Sequence, residues 1–420
     1  MAVPDFPIGG DSLLSPVSPE IPVGTPLFEF VRVYESVPPH GFKSEFRPMA
    51  LENFNENVEG DTTIDIIVSE KVANGLLDNY WGGAFSLIVS LISNVYIHRV
   101  SDRAYTEVGN RFSSYIYDSY YVKQIKQEKD SRNYRLVCFG LKEYLRKRLA
   151  IPAGVDTTNG VVSVPDGSQA AKPIPVSQIL KFTNKTTKGI TAGLISESKL
   201  IQDIPVYWTL NGLTGTMQRT YLLKDFRSIK EAIDNMLDDE AGPSAVHFDG
   251  GFGSRDNVAF FFDEGGLEKG YPVTQLSGRS GEFFKPNVET VENGVVNNIW
   301  TVGNASDGNI ILGHKVQDGS TSQILLQEAN TERNDIQTPD FLLSYTLGIL
   351  SKSGASVRTM SLDTGLSQKM LLAFVGNYIY IKAPEEPQID NSRWYITERT
   401  INMNGKRIEF DMVEVILEED

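Results

Sequence analysis

The chain has 420 residues, 40% hydrophobic and 22% charged, with 54 acidic against 39 basic residues and a formal charge of −15. Such length suits roughly two to four domains, and the acidity argues against a general nucleic-acid or anionic-membrane binder. A single cysteine, Cys138, excludes an internal disulfide framework and sits among apolar neighbours as a buried, inert thiol.

Residues 1–26 carry Pro4, Pro7, Pro16, Pro19, Pro22 and Pro26 and read as an extended, Pro-rich arm. It is either a disordered tail or an arm lying along a neighbouring subunit. No basic segment leading into an apolar core opens the chain, so no signal peptide is expected.

Residues 27–151 read as a first, mainly β domain. Phe28–Tyr34 alternates, with Phe28, Phe30, Arg32 and Tyr34 on one face. Thr63–Val68 is a strand, Ala84–Leu91 is open between strand and helix, and Asn94–Val100 is a strand. The apolar run from Ala84 to Val100 is interrupted by His98, Arg99 and several serines, so no membrane span is expected. Tyr105, Tyr115, Tyr117, Tyr120 and Tyr121 offer strand packing or, alternatively, a binding surface. Val122–Gln127 and Tyr134–Phe139 are strands around a polar turn at Lys129–Ser131. After Gly140, Leu141, Tyr144, Leu145 and Leu149 are spaced as one face of a closing helix, with Lys142, Glu143, Arg146, Lys147 and Arg148 on the other.

Residues 152–215 are a loop-rich β excursion with short candidates such as Val161–Val164, and β character returns from Ile204 with a turn at Asn211-Gly212. Residues 216–287 form a small α+β unit. Its helix, 228–240, starts on the capping box Ser228-x-x-Glu231 and carries Ile229, Ala232, Ile233, Met236 and Leu237 as a stripe. Strands follow at Ala245–Asp249 and Val258–Phe262. Residues 288–420 form a second mainly β domain with its own helix. Asn298–Val302 and Asn309–Leu312 are strands, and a helix capped by Thr338 with Pro339 at its first position runs to about Leu350. Tyr378–Lys382, Trp394–Ile401 and Arg407–Leu417 are strands, the last two joined by a type I′ turn at Asn404-Gly405.

Chemistry is sparse. His40, His98, His247 and His314 are scattered and form no zinc-spaced pair. His247 and Asp249 share a strand face without a third ligand. Gly278–Glu282 fails the nucleophile elbow because Glu282 replaces its last glycine, and Asp249–Gly253 lacks the ligands of a calcium loop. Asp238-Asp239-Glu240 reads as a solvated acidic face, and Arg146-Lys147-Arg148 as a salt-bridged or subunit-contacting one. No catalytic, cofactor-binding or metal residue is assigned, no cofactor is expected, and the chain is read as no enzyme.

Three stretches resemble the hub proteins of long-tailed (siphovirus-like) bacteriophages, in particular minor tail proteins of phages infecting actinobacteria. One is Tyr134–Ile151, with Gly140, Leu145 and Arg148 in a G-x-x-x-x-L-x-x-R element. The second is Arg219–Asp249 with its capped helix. The third is Thr338–Leu417, where Gly376-Asn377 stands in place of a commoner Gly-Asp. The resemblance implies two β-barrel-like hub domains, 27–151 and 288–420, and a homotrimer forming a ring that joins a sixfold tail tube to a threefold tip. It implies a baseplate or tail-tip location in the virion after synthesis in the host cytoplasm. The implied partners are a distal tail protein, tail-tip or fibre proteins and the tape-measure protein, with DNA passing through unbound. A receptor- or carbohydrate-binding tail protein is the alternative, and a tail-associated cell-wall hydrolase a further one.

Overall fold

The computed structural model describes residues 28–36, 40–79, 87–93, 116–129, 131–150, 179–197, 206–208, 211–222, 227–237, 239, 243, 245–252, 258–264, 274–277, 283, 286–291, 297–304, 309–316, 328–333, 336, 338–353, 357–371 and 373–415. The arm, the strands expected at 94–100 and 161–164, His98, Tyr105, Tyr115 and Gly278–Glu282 lie outside these residues.

The chain is mainly β, with some helices. Its first part runs β1 (Phe28–Glu35), β2 (Phe42–Phe46), β3 (Ala50–Asn57), β4 (Thr62–Ser69), α1 (Glu70–Asn79), β5 (Leu87–Ser93), β6 (Ile116–Gln127), β7 (Asn133–Phe139) and α2 (Leu141–Leu145). Then come β8 (Ile179–Lys185), α3 (Thr187–Glu197), β9 (Val206–Tyr207), β10 (Met217–Leu222), α4 (Ile229–Leu237), β11 (Val246–Phe252), β12 (Ala259–Glu264) and β13 (Thr274–Ser277). The rest is β14 (Asn287–Val291), β15 (Asn298–Asn304), β16 (Ile310–Val316), β17 (Glu328–Arg333), α5 (Pro339–Ser353), β18 (Val357–Gly365), α6 (Gln368–Leu371), β19 (Tyr378–Lys382), β20 (Ser392–Asn402) and β21 (Arg407–Glu414).

Thirteen strands share one sheet, ordered β14-β18-β21-β20-β3-β4-β7-β6-β5-β1-β2, with β19 also on β20 and β13 on β19. The barrel-like form expected for 27–151 and 288–420 is therefore not closed among the described residues. The cause lies in β20, whose edge is divided. Residues 392–395 pair with β19, and Glu398–Ile401 pair with β3, so the second set of strands runs into the first.

The sheet contains the same arrangement twice. β3-β4-β7-β6-β5-β1 and β14-β18-β21-β20-β19-β13 are two runs with matching connectivity. In each, a helix follows the second strand, capped by Ser69 Oγ on Val72 N (3.4 Å) or Ser367 Oγ on Met370 N (3.2 Å). In each, a hairpin carries a bulge at the same place, Lys123 in β6 and Thr397 in β20. The runs differ at their ends, where β1 meets β5 antiparallel but β13 meets β19 parallel.

Alternation along the strands makes two cores. Val33, Val89, Tyr120 and Val122 enter a main core shared with Met360, Ile379, Trp394 and Phe410. Their neighbours Tyr34, Ile88 and Tyr121 turn to the other face and meet α2, α4, β11 and β12 in a second core. Phe28, expected beside Tyr34, joins Val31 and Val33 instead because the register with β5 shifts after it. A separate sheet, β16-β15-β17, packs α5 against one face through Leu342 and Tyr345.

Several local expectations need correction. The closing helix ends at Leu145 and Leu149 is exposed, because Arg148 O and Ala150 N are taken by Ile229 N (2.8 Å) and Arg227 O (2.9 Å). Lys142, expected on its polar face, is fully buried. The Asn404-Gly405 turn is the middle of a longer loop, since the ladder closes at Asn402 and Arg407 and the left-handed residue is Lys406. Thr338 Oγ1 makes no capping bond, although Leu342 N does reach Thr338 O at 3.1 Å.

Candidate functional site

The described residues include His40, His247 and His314. No group of three or more His, Cys, Asp and Glu side chains comes together among the described residues as a metal site. His314 stacks on Trp300 with ring centres 3.9 Å apart, its Nε2 2.7 Å from Asn298 Oδ1. His247 is buried on β11, near the place where Gly376 makes a close approach with φ +85°. His40 is buried on the link between β1 and β2, its Nδ1 donating to Glu35 O at 3.1 Å. Burial there lowers its pKa to about 4, against the two backbone bonds that favour the charged form. Tyr117, Tyr120 and Tyr121 are core residues and so take no part in the binding surface they were weighed to form, while Tyr105 and Tyr115 lie outside the described residues. Cys138 is fully buried, and burial raises its thiol pKa far above the ordinary value.

What the fold concentrates instead is charge at its joints. Where β20 meets β3, Arg399 is buried on the face that also carries Ile401. Its Nε donates to Glu56 Oε2 at 2.8 Å, and Nη1 donates to Leu371 O (2.8 Å) and Ala373 O (3.0 Å). Nη2 donates to Tyr117 Oη at 2.8 Å and again to Glu56, so all the guanidinium donors are used. The same guanidinium lies 4.8 Å from the centre of the Phe374 ring. One side chain thus ties β3, β6, β20 and α6.

Two further ionic clusters fasten the second core. Lys142 reaches Asp234 at 2.5 Å and also donates to Glu59 O. Lys230 reaches Asp61 at 2.8 Å and Asp234 at 3.3 Å. The G-x-x-x-x-L-x-x-R element is thereby tied to α4 and to the β3–β4 turn. Burial lowers the Lys142 pKa despite those carboxylates. Asp239, expected in solvent, is buried against Arg219, with Arg333 of β17 4.0 Å away. The α4 N-terminus is the expected capping box, Ser228 N to Glu231 Oε2 (2.8 Å) and Glu231 N to Ser228 Oγ (3.1 Å).

The sequence offered one sign of the Arg399 joint. The arginine sits two residues from Ile401 in a strand whose alternate positions are apolar, and so on a buried face. Glu56 gave no such sign, because β3 is too polar to read as a strand. The opposite face is acidic. Glu409 has a raised pKa from partial burial and from Asp363, Asp411 and Glu398 around it.

No protein-family model matches the chain, and no curated protein matches it by sequence. Solved structures do. A tail protein from Neisseria meningitidis MC58 superposes with a TM-score of 0.51 at 10% identity, over 92% of this chain and 97% of that one. The 43 kDa tail protein of prophage MuSo2 from Shewanella oneidensis gives 0.50 at 10% identity, with coverage of 92% and 97%. The buried joints and the doubled sheet thus belong to a chain with the fold of these two tail proteins.

Proposed function

We propose that this chain is a structural hub of a phage tail tip, a non-enzymatic protein whose ring joins a sixfold tube to a threefold end. The observation that carries this is the doubled sheet on a tail-protein fold. Two copies of one strand arrangement per chain give three chains six similar walls, which is how a homotrimer can meet a sixfold neighbour. The barrel-like hub domains at 27–151 and 288–420, the α+β unit at 216–287, the excursion at 152–215 and the arm at 1–26 belong to the same proposal. So do the distal tail, tip or fibre and tape-measure partners and the virion tail-tip location. An actinobacterial host rests on the sequence resemblance alone. Asp363, Glu398, Glu409 and Asp411 make one sheet face acidic, a wall suited to letting DNA pass without holding it. The carbohydrate-binding alternative has lost Tyr117, Tyr120 and Tyr121 to the core.

Deleting the gene from the phage that encodes it tests this reading. The expected particles lack a completed tail tip, and antibody against the chain labels the tip of the wild-type virion. Intact tails with unchanged tips would overturn it.

A further inference from the structure

Among the described residues, the doubled sheet has one joint made and one left open. The made joint is β3 on the far half of β20, beside the part of β20 that β19 covers. The counterpart of β20 is β6. There β5 covers only Ile116–Tyr121, and residues 122–127 have no strand on that side among the described residues. The counterpart of β3 is β14, which has β18 on one side and no strand on the other among the described residues. Among the described residues, each chain therefore carries both halves of a second joint on separate edges.

The registers say which residues would meet. After the shared bulge, Gln124 opposite Val137 corresponds to Glu398 opposite Asp411. Lys126 thus corresponds to Thr400. One residue along in the partner strands, Cys138 faces Ile64 as Met412 faces Met360. Thr63 then corresponds to Thr359, and their partners Asn55 and Glu289 to each other. In the made joint Thr400 faces Asn55. In the open one Lys126 faces Glu289, an opposite pair in which both residues are exposed in the single chain. One step back, the buried Arg399–Glu56 pair is replaced by Ile125 and Thr290, a pair that needs no buried counter-charge.

We infer that β14 of one copy pairs antiparallel with residues 122–127 of β6 in the next copy, with Glu289 opposite Lys126. The contact is head-to-tail, the kind that makes a ring when the rotation per copy closes, and in a ring of three the joints within and between chains alternate. This rests on the hub reading for its number of copies, but the pairing itself follows from the repeated strand order.

The test is cross-linking with solution mass by light scattering. The full chain carrying Lys126→Cys and Glu289→Cys together is oxidised. The expected product is a covalent ladder ending at a trimer, absent from either single variant. Charge reversal adds a second readout. Lys126→Glu or Glu289→Lys alone weakens self-association at least about tenfold, and the double swap restores it. Both positions are exposed, and an unchanged circular dichroism spectrum checks that each variant folds. A trimer that neither cross-links here nor responds to charge reversal overturns this joint and leaves the hub reading standing. A chain giving no covalent oligomer at any concentration also overturns the joint, and tip labelling of virions then decides the hub reading by itself.

Discussion

The two halves of the doubled sheet differ most on the face turned away from their common core. Tyr121 and Tyr395 occupy matching positions, each opposite a matching residue, Ile88 or Tyr378. Tyr121 is covered, stacked 4.7 Å from Tyr144 and 5.7 Å from Phe260. Tyr395 is half-buried, tilted against Tyr378 at 5.3 Å, on the face that carries the acidic row. One strand scaffold thus serves two ends. The chain between residues 180 and 262 turns the first into a core, while the second stays polar. The lesson is that strand order sets the frame, and what is laid over it sets the surface.

The largest break in this comparison lies where the halves meet. Arg399→Met or Glu56→Leu alone should cost about 3–5 kcal/mol by leaving one buried charge unpaired, and the double variant should cost less than either. Denaturant titration of all three measures it. A double variant as weak as the sum would show that the pair contributes no coupling.

Acid should loosen the covered half. His40 lies between Glu35 O and the Phe260 ring, 5.6 Å away, and its folded pKa of about 4 is below the ordinary 6.5. The unfolded chain therefore takes the proton first. The contribution is whole above about pH 6.5 and falls as pH drops to about 4, by about 3 kcal/mol in total. Urea midpoints across that range, with near-ultraviolet dichroism to follow the aromatic cover, read it out. A flat profile would contradict a neutral buried imidazole.

Tyr121→Ala should cost about 3 kcal/mol, and Tyr395→Ala about 1 kcal/mol, since only the first empties a packed site. Equal losses would erase the distinction between covered and open faces. The smallest effect belongs to the acidic row. Glu409 has its pKa raised by burial, Asp363, Asp411 and Glu398, so Glu409→Gln should stabilise by about 0.5 kcal/mol at neutral pH and low salt, less at high salt.

Some of this was plain in the sequence. The capping box at Ser228, the stripe of α4, and the alternation of Ile408, Phe410 and Met412 each match a local period to a local structure. Other parts were hidden for physical reasons. β3 reads Ala50-Leu-Glu-Asn-Phe-Asn-Glu-Asn57, polar because its partners are charged across the joint. α3 carries Gly189 and Gly193, poor helix formers tolerated beside Leu213 and Phe182. Among its described side chains, β18 shows Met360 and Leu362 as the large buried apolar residues. The doubling left almost no trace in residue identity, since Val89 matches Ile379 and Cys138 matches Met412. It is written in which strands pair, a property of distance in space.

Arg399 and Glu56 are 343 positions apart along the chain. A ribosome making this protein must add 343 residues after Glu56 before the β3 edge finds its own strand. Until then that edge stands open to any other extended chain, and folding waits on a contact of very long range. The halves are thus committed together only once β20 has been made. A chain truncated before β20 should emerge sticky and insoluble, and supplying the missing C-terminal segment in the same cell should rescue it.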